Sequence, residues 1–343
     1  MATFSAKLAS PKRRQLVIGL PLFACGLLIA PVQAKSDIHQ SSKILMGTRL
    51  DLTLQGADAN TMNAAASAAF SEMARLADMM SRYRSGSELN AINLAAGLQP
   101  VQVSAELFDV LEMAQRVTKG SNGAFDATVG TLRDWNFDAS SPSIPTAQQI
   151  AEQLPLVGAN GLILNVRRRT AFLNKRGMRL DLGGIAKLPI MQAGMRQLLA
   201  HGVVNAMING GGDVLVSGQL NGRDWRIGLR DPRQPDRLLG VVALNNGFVA
   251  SSGDYERFIM HQGKRLHHIL DPKTGYPTQG LRGVTLISDK LDRLNGLGAA
   301  LMVSGAEAGR TRLKHMLDVD ALLVDANNQL WTSAGMSKRW VSG

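Results

Sequence analysis

Cysteine is nearly absent from this chain of 343 residues, which contains a single one, Cys25. Cys25 lies within the apolar run from Leu16 to Val32, and Phe23 and the apolar residues that follow it argue against a lipid-modified cysteine. If this N-terminal run is removed, no thiol remains. The rest of the chain is therefore predicted to have neither disulfides nor thiol chemistry.

Aromatic side chains are also scarce, at 5% of the residues, and no long stretch interleaves them with basic residues. The formal net charge is +11, of which Lys7, Lys12, Arg13 and Arg14 contribute four, leaving +7 without them. The remaining basic residues are scattered, apart from the run 167–169. This pattern disfavours nucleic-acid binding, whereas an anionic ligand or a solvated surface explains the charge equally well.

The N-terminus has the pattern of an export signal. Basic residues at 12–14 precede the apolar run, and Val32-Gln33-Ala34 provides a small-x-small cleavage site. We therefore expect a signal peptide over 1–34 and a mature domain over 35–343, located in the periplasm. Residues 10–17 are typical of a twin-arginine signal, and a general secretory signal is the alternative. No later apolar run is long enough for a membrane helix, so no stable membrane insertion is expected after cleavage.

Hydropathy patterns indicate a compact α+β fold with mostly antiparallel sheet and flanking helices. Strand patterns lie at 42–54, 162–166, 170–174, 203–208, 214–216, 225–229, 238–244, 284–288, 321–325 and 329–332. Helix patterns lie at 59–80, 103–120, 146–154, 187–199, 291–302 and 306–316. Ser104 is expected to cap the helix at 103–120, and Ser87 is expected to cap a short helix that follows it. A further short strand is expected to end on Asp181.

Two glycine turns bracket the predicted helix at 187–199. The first reads Asp-Leu-Gly-Gly-Ile-Ala-Lys from Asp181 to Lys187, and the second reads Asn-Gly-Gly-Gly-Asp from Asn209 to Asp213. Glycine admits close approach of a ligand, and a helix start favours an anion, so a phosphate-bearing ligand is one interpretation. Ordinary turns are the other. The stretch matches neither a Walker loop nor a dinucleotide-binding fingerprint.

Seven motifs together resemble those of one family, the FAD:protein FMN transferases or ApbE-like flavin transferases, over nearly all of the mature chain. In order they are Met46-Gly-Thr48, Ser81-Arg-Tyr-Arg-Ser-Gly-Ser-Glu-Leu-Asn-Ala-Ile-Asn93, Phe125-Asp-Ala-Thr-Val-Gly130, Asp181 to Lys187, Asn209 to Asp213, Ser252-Gly-Asp-Tyr-Glu-Arg257 and His268-Ile-Leu-Asp-Pro-Lys-Thr-Gly275.

The resemblance implies a T-fold-like structure and a specific reaction. In that reaction FAD is bound, its pyrophosphate is split with Mg²⁺, FMN is joined to a Thr or Ser of a target flavoprotein, and AMP leaves. The implied acceptor is a flavin subunit of a membrane redox complex.

The resemblance also implies roles for individual residues. His268 matches the family's base, for which an imidazole with an ordinary pKa is suited. If the segment is extended, alternation should point His267 to the opposite face. His268 as a simple turn cap is the alternative. The implied FAD contacts are Met46, Tyr83, Ala124, Phe125, Asp126, Asp181, Lys187 and Ile269.

The implied metal site departs from the family pattern. It would comprise the backbone around Gly184 and two helix positions, where the family has Asp and Thr but this chain has Asn295 and Ala299. Asn295 retains one neutral oxygen and Ala299 offers none, although Mg²⁺ prefers charged oxygen ligands. Asp292, nearly one helical turn earlier, is a candidate substitute. Two hypotheses follow: a transferase with an altered metal site, or a periplasmic FAD-binding accessory or carrier protein that has lost catalysis.

Overall fold

The computed structural model describes residues 38–234 and 236–341, so the predicted export signal and Cys25 lie outside the described residues. The strands are β1 (Ile38–Leu45), β2 (Thr48–Gln55), β3 (Val101–Gln102), β4 (Leu162–Asn165), β5 (Thr170–Leu173), β6 (Asn205–Gly210), β7 (Asp213–Ser217), β8 (Trp225–Arg230), β9 (Leu238–Leu244), β10 (Asn246–Gly253), β11 (Phe258–His261), β12 (Lys264–His267), β13 (Leu281–Ser288), β14 (Asp320–Asp325), β15 (Leu330–Thr332) and β16 (Trp340–Val341).

The helices are α1 (Ala59–Met79), α2 (Glu88–Leu94), α3 (Ala105–Gly120), α4 (Ala147–Gln153), α5 (Lys187–Ala200), α6 (Leu291–Leu294), α7 (Leu297–Lys314) and α8 (Ala334–Arg339). Ser87 and Ser104 cap α2 and α3, as their positions in the sequence predict. The methionines of α1 are core residues, with Met62 and Met73 fully buried. Among the described residues, no helix combines the length and apolar character needed to cross a membrane.

A central antiparallel sheet organises the fold. It contains eight strands in the order β1-β2-β6-β7-β10-β13-β14-β15, and each neighbouring pair is antiparallel. The smaller sheets are β16-β9-β8, β3-β5-β4 and the hairpin β11-β12. The prediction of a mostly antiparallel α+β fold is confirmed, and the arrangement is compatible with a T-fold.

Both faces of strands β7, β10, β13 and β14 of the central sheet are buried because their side chains alternate between two apolar clusters. Those that pack with the helices include Leu215, Phe248, Leu286 and Leu323. Their sequence neighbours Val214, Val249, Ile287 and Leu322 pack with β8 and β9. Burying each of these side chains contributes about 1.5–3 kcal/mol. These four strands are therefore covered on both faces.

Three predicted elements differ from the structure. The predicted strand 42–54 is a hairpin, because Met46 (φ 54°) and Gly47 (φ 69°) both adopt left-handed backbone and turn the chain between β1 and β2. No strand ends on Asp181, since residues 178–182 belong to no strand. The helix from 291 is interrupted at Asn295 and Gly296, and the break predicted after 302 is a kink at Gly305 inside α7.

The turn between β6 and β7 yields a stability prediction. Gly211 has φ 64°, and a Cβ added there would lie 2.4 Å from Thr48 Oγ1. Gly211→Ala is expected to lower the free energy of unfolding by about 2–4 kcal/mol, combining left-handed strain of about 1–2 kcal/mol with overpacking. Gly222→Ala is the matched control, because Gly222 has φ 71° and open space around it. This variant should lose only the free energy that corresponds to left-handed strain, about 1–2 kcal/mol. If urea denaturation shows that the two variants lose equal free energy of unfolding, the close packing of Gly211 against Thr48 is contradicted.

Candidate functional site

The two glycine turns singled out in the sequence meet in space through an ion pair. Lys187 Nζ lies 2.7 Å from Asp213 Oδ2 and also donates to the Gly210 carbonyl at 3.3 Å. Asp213 Oδ1 accepts from the Ser251 amide at 2.9 Å, which ties the corner to β10. The Lys187 and Asp213 side chains are 29% and 11% exposed. An incoming phosphate would therefore reach Lys187 but share its charge with Asp213.

The segment around Asp181 is fixed by side chains rather than by a sheet. Buried Asn93 brackets Leu180, accepting from its amide at 2.7 Å and donating to its carbonyl at 3.2 Å. The Asp181 amide donates to the Ala127 carbonyl at 2.8 Å, and its Oδ1 accepts from the Gly183 amide at 2.8 Å. These bonds place the Gly183-Gly184 turn directly before α5, which begins at Lys187.

Arg82 is a site residue that the sequence analysis did not identify. Its guanidinium lies 3.4 Å from Asp181 Oδ2, donates to the Tyr83 hydroxyl at 2.8 Å and lies 4.8 Å from the centre of the Tyr83 ring. The Tyr83 ring is held by this contact while 77% of the residue stays exposed, which suits stacking against a planar ligand. The sequence signal that could have identified Arg82 is its place between Ser81 and Tyr83 in the Ser81–Asn93 motif.

The predicted FAD contacts from Ala124 to Asp126 are buried. The Asp126 carboxylate caps the following 3₁₀ turn by accepting from the Thr128 amide at 2.8 Å and the Thr128 hydroxyl at 2.7 Å. Its side chain is therefore committed to local structure. Phe125 packs beside the glycine turn, since a Cβ on Gly184 would lie 3.2 Å from the Phe125 ring.

Met46 and His268 lie at a second corner, which contains another missed residue, Arg257. A Cβ on Gly47, next to Met46, would lie 3.2 Å from Arg257 Nη2. The Arg257 carbonyl accepts from the His268 amide at 3.0 Å. Arg257 is exposed and is the last residue of the Ser252–Arg257 motif. Its positive charge within that motif is the sequence signal that could have identified it. The corner brings a cation and an imidazole to the turn predicted to contact the flavin.

The two adjacent histidines face opposite ways, as alternation predicts. His267 is 2% exposed, and its Nε2 lies 2.9 Å from the Thr278 carbonyl. It lines a polar cavity of about 380 Å³ with Arg265 and Thr278. His268 is exposed, while Ile269, a predicted FAD contact, is buried again.

The pKa of His268 is lowered rather than ordinary. Protein atoms crowd the ring although it keeps an exposed surface, and this desolvation, together with the charges of Arg257 and His267, lowers the pKa of the imidazole. Asp181 opposes the shift, which places its carboxylate within electrostatic range of the ring. At neutral pH His268 is therefore uncharged and able to accept a proton.

The residues predicted to hold Mg²⁺ are neighbours, but they do not fit the ion. Ala299 Cβ lies 4.0 Å from the Cβ position of Gly184, so it presents a methyl group to the turn. Asn295 directs its amide nitrogen, not its oxygen, at the next carbonyl, donating to Ile185 O at 2.7 Å. Asp292 is exposed. Within residues 38–234 and 236–341, no group of three or more His, Cys, Asp or Glu side chains could hold a metal ion.

Comparisons with known proteins point to one family. The family model described as the ApbE family matches residues 46–323. A protein of Klebsiella pneumoniae (strain 342) named FAD:protein FMN transferase is 34% identical over 308 residues, covering 88% of this chain and 94% of the relative. A protein of the same name from Treponema pallidum (strain Nichols) is 28% identical over 333 residues, covering 92% of each.

Solved structures show the same fold. The crystal structure of the ApbE protein from Thermotoga maritima superposes with a TM-score of 0.82 at 28% identity, covering 89% of this chain and 100% of that one. The flavin transferase ApbE from Vibrio cholerae superposes with a TM-score of 0.76 at 26% identity, covering 89% and 99%. The family match spans most of the described residues, and the chain therefore belongs to the ApbE family.

Proposed function

We propose that this protein is an enzyme that transfers FMN from FAD to a Ser or Thr hydroxyl of an acceptor flavoprotein. The pyrophosphate P–O bond breaks, a phosphoester forms between the hydroxyl oxygen and the FMN phosphorus, and AMP leaves. The activity is the one named for the relatives. The observation that carries the proposal is the position of exposed His268 beside Arg257 and the Met46–Gly47 turn.

Each side chain has a role that its surroundings permit. His268 takes the proton of the acceptor hydroxyl as the oxygen attacks phosphorus. Lys187 and Arg257 face the phosphates as cations, and the first amides of α5 add the positive end of a helix dipole. Tyr83, held by Arg82, stacks on the flavin ring. Catalysis of this kind rests on positioning and on neutralising phosphate charge.

The location and the acceptor are part of the same proposal. The N-terminal pattern at 1–34 supports export to the periplasm, and an exported flavin transferase would act on the exported flavin subunit of a membrane redox complex. No step is assigned to Mg²⁺, because Asn295 and Ala299 do not fit the ion.

A second candidate function is an FAD-binding accessory or carrier protein that does not cleave the pyrophosphate. Asn295 and Ala299 favour this candidate, since a pocket that lacks the family's metal ligands can keep its flavin contacts while losing the reaction. Release of AMP separates the two functions, because a carrier binds FAD but leaves its pyrophosphate intact.

Replacing the proposed base tests the transferase directly. The mature protein is mixed with FAD and an acceptor flavoprotein domain, and both AMP and covalent flavin are measured. His268→Gln should lower the rate by about 10²–10⁴-fold through loss of the base, while FAD binding is retained. His201→Gln, on the exposed end of α5, is the control and should leave the rate unchanged. FAD binding without AMP release by the unaltered protein would favour the carrier.

The lowered pKa of His268 predicts the pH profile of transfer. The base acts when neutral, and its lowered pKa keeps it neutral as the solution becomes more acidic. The rate should therefore stay constant as pH falls through about 6.5, the usual value for histidine, and decline only at lower pH. Arg257→Gln removes one of the charges that lower the pKa of His268, so the decline in rate on the acid side of the pH profile should begin at a higher pH.

The matched control is Arg167→Gln, a substitution of an exposed arginine in the β4–β5 turn, which should not move the acid limb. A profile of the unaltered protein that already declines around pH 6.5 would contradict the assignment of His268 as a desolvated base.

A further inference from the structure

We propose that the side-chain amide of Asn295 occupies the place of a cation at the 183–186 turn, so that this protein binds FAD without Mg²⁺. The inference rests on the proposed FAD site and concerns how one wall of that site is closed. It contradicts the Mg²⁺ requirement that the family resemblance implies.

The surroundings of Asn295 fix which way its amide points. The residue is 3% exposed, and its Nδ2 donates to Ile185 O at 2.7 Å and lies 2.9 Å from Met113 Sδ. A carbonyl oxygen and a thioether sulfur can only accept hydrogen bonds. The NH₂ group must therefore face both, and the opposite rotamer would place oxygen against oxygen.

The local backbone makes this contact possible. Asn295 ends α6 in an extended conformation (φ −64°, ψ 126°), and Gly296 follows in the left-handed region (φ 73°) before α7 starts at Leu297. The interruption carries the Asn295 side chain across to the turn that precedes α5. An uninterrupted helix, as the sequence predicts here, would give the side chain a different direction.

An aspartate at this position would have the opposite requirement. An ionised carboxylate donates no hydrogen bond, so it would set a negative oxygen against Ile185 O. A bound cation between the two oxygens would remove the conflict, whereas leaving a buried charge unpaired is costly. Aspartate thus fits a turn that holds a cation, and asparagine fits a turn that holds none.

Ala299 is consistent with the cation-free arrangement. Its methyl group lies beside the Gly184 turn, where the family resemblance implies a hydroxyl. Asn295 contributes at most one neutral oxygen, and Mg²⁺ demands near-octahedral coordination by oxygen atoms. The charge of the FAD phosphates is left to Lys187, Arg257 and the first amides of α5, none of which depends on a metal.

Two measurements on the mature protein test the inference. FAD is titrated in excess EDTA or in millimolar MgCl₂ at pH 8, and thermal unfolding is followed without FAD in the same buffers. For the unaltered protein the FAD dissociation constants should agree within about twofold, and the melting temperature should not respond to Mg²⁺. FAD binding that is lost in EDTA and restored by Mg²⁺ would overturn the inference.

The variant Asn295→Asp with Ala299→Thr should reverse this behaviour. In EDTA at pH 8 its melting temperature should fall by on the order of 5–10 °C, since the buried carboxylate lacks a cation. MgCl₂ should restore much of that loss and tighten FAD binding by about tenfold or more. Lower pH should also restore stability, because a protonated carboxyl can donate to Ile185 O.

Matched control variants distinguish a carboxylate at position 295 from a change of charge elsewhere. Asn63→Asp adds the same charge on an exposed face of α1, and Asp292→Asn removes the nearby exposed acid; neither should make stability or FAD binding depend on Mg²⁺. If the double variant does not fold, the unaltered protein still decides the matter. Failure of the unaltered protein to bind FAD in either buffer would overturn the proposed function, and a double variant equally stable with and without Mg²⁺ would overturn the role of Asn295.

Discussion

The ion pair between Lys187 and Asp213 joins three elements that are distant in sequence, and the candidate site depends on it. Lys187 begins α5, Asp213 begins β7, and the second oxygen of Asp213 accepts from the backbone of β10. Removing Lys187 would leave the mostly buried Asp213 carboxylate without its cation, which is destabilising. The corner therefore holds the glycine turns at a fixed separation while the sheet packs behind them.

This constraint determines how the pocket can treat an anion. Because Lys187 is already paired with Asp213, its positive charge is partly neutralised before a phosphate binds. Arg257, next to His268 and the Met46–Gly47 turn, supplies a second cation. Arg82 has a different partner, since it spans Asp181 and Tyr83. Positive charge is thus distributed around the candidate site, and each cation belongs to a different segment of the chain.

The turn that precedes α5 is closed by a hydrogen bond from the helix break between α6 and α7. The break between α6 and α7 turns Asn295 toward the Ile185 carbonyl, and Ala299 packs a methyl group beside Gly184. Position 295, where the family resemblance implies a metal ligand, is here occupied by a hydrogen-bond donor, the side-chain amide of Asn295. The two proposed functions, transferase and carrier, would use the same flavin contacts and would differ in whether the pyrophosphate is cleaved.

The sequence by itself determined the features that depend on neighbouring residues. Alternation along an extended segment was enough to separate exposed His268 from buried His267, and serines before apolar helices marked the caps of α2 and α3. The order of the motifs identified the family. Local patterns did not reveal the turn at Met46, because the residues on either side of it alternate in a way that also suits one continuous strand.

Only the tertiary structure decided which groups face one another at the site. The pairing of Lys187 with Asp213, the contact of Arg82 with Asp181, the approach of Arg257 to the Met46–Gly47 turn and the direction of the Asn295 amide all join segments that lie apart in the chain. Such contacts depend on how the loops at the sheet's ends are brought together by packing of the two buried faces. No local period or spacing encodes that arrangement, which is why charges that look free in the sequence are paired in the folded protein.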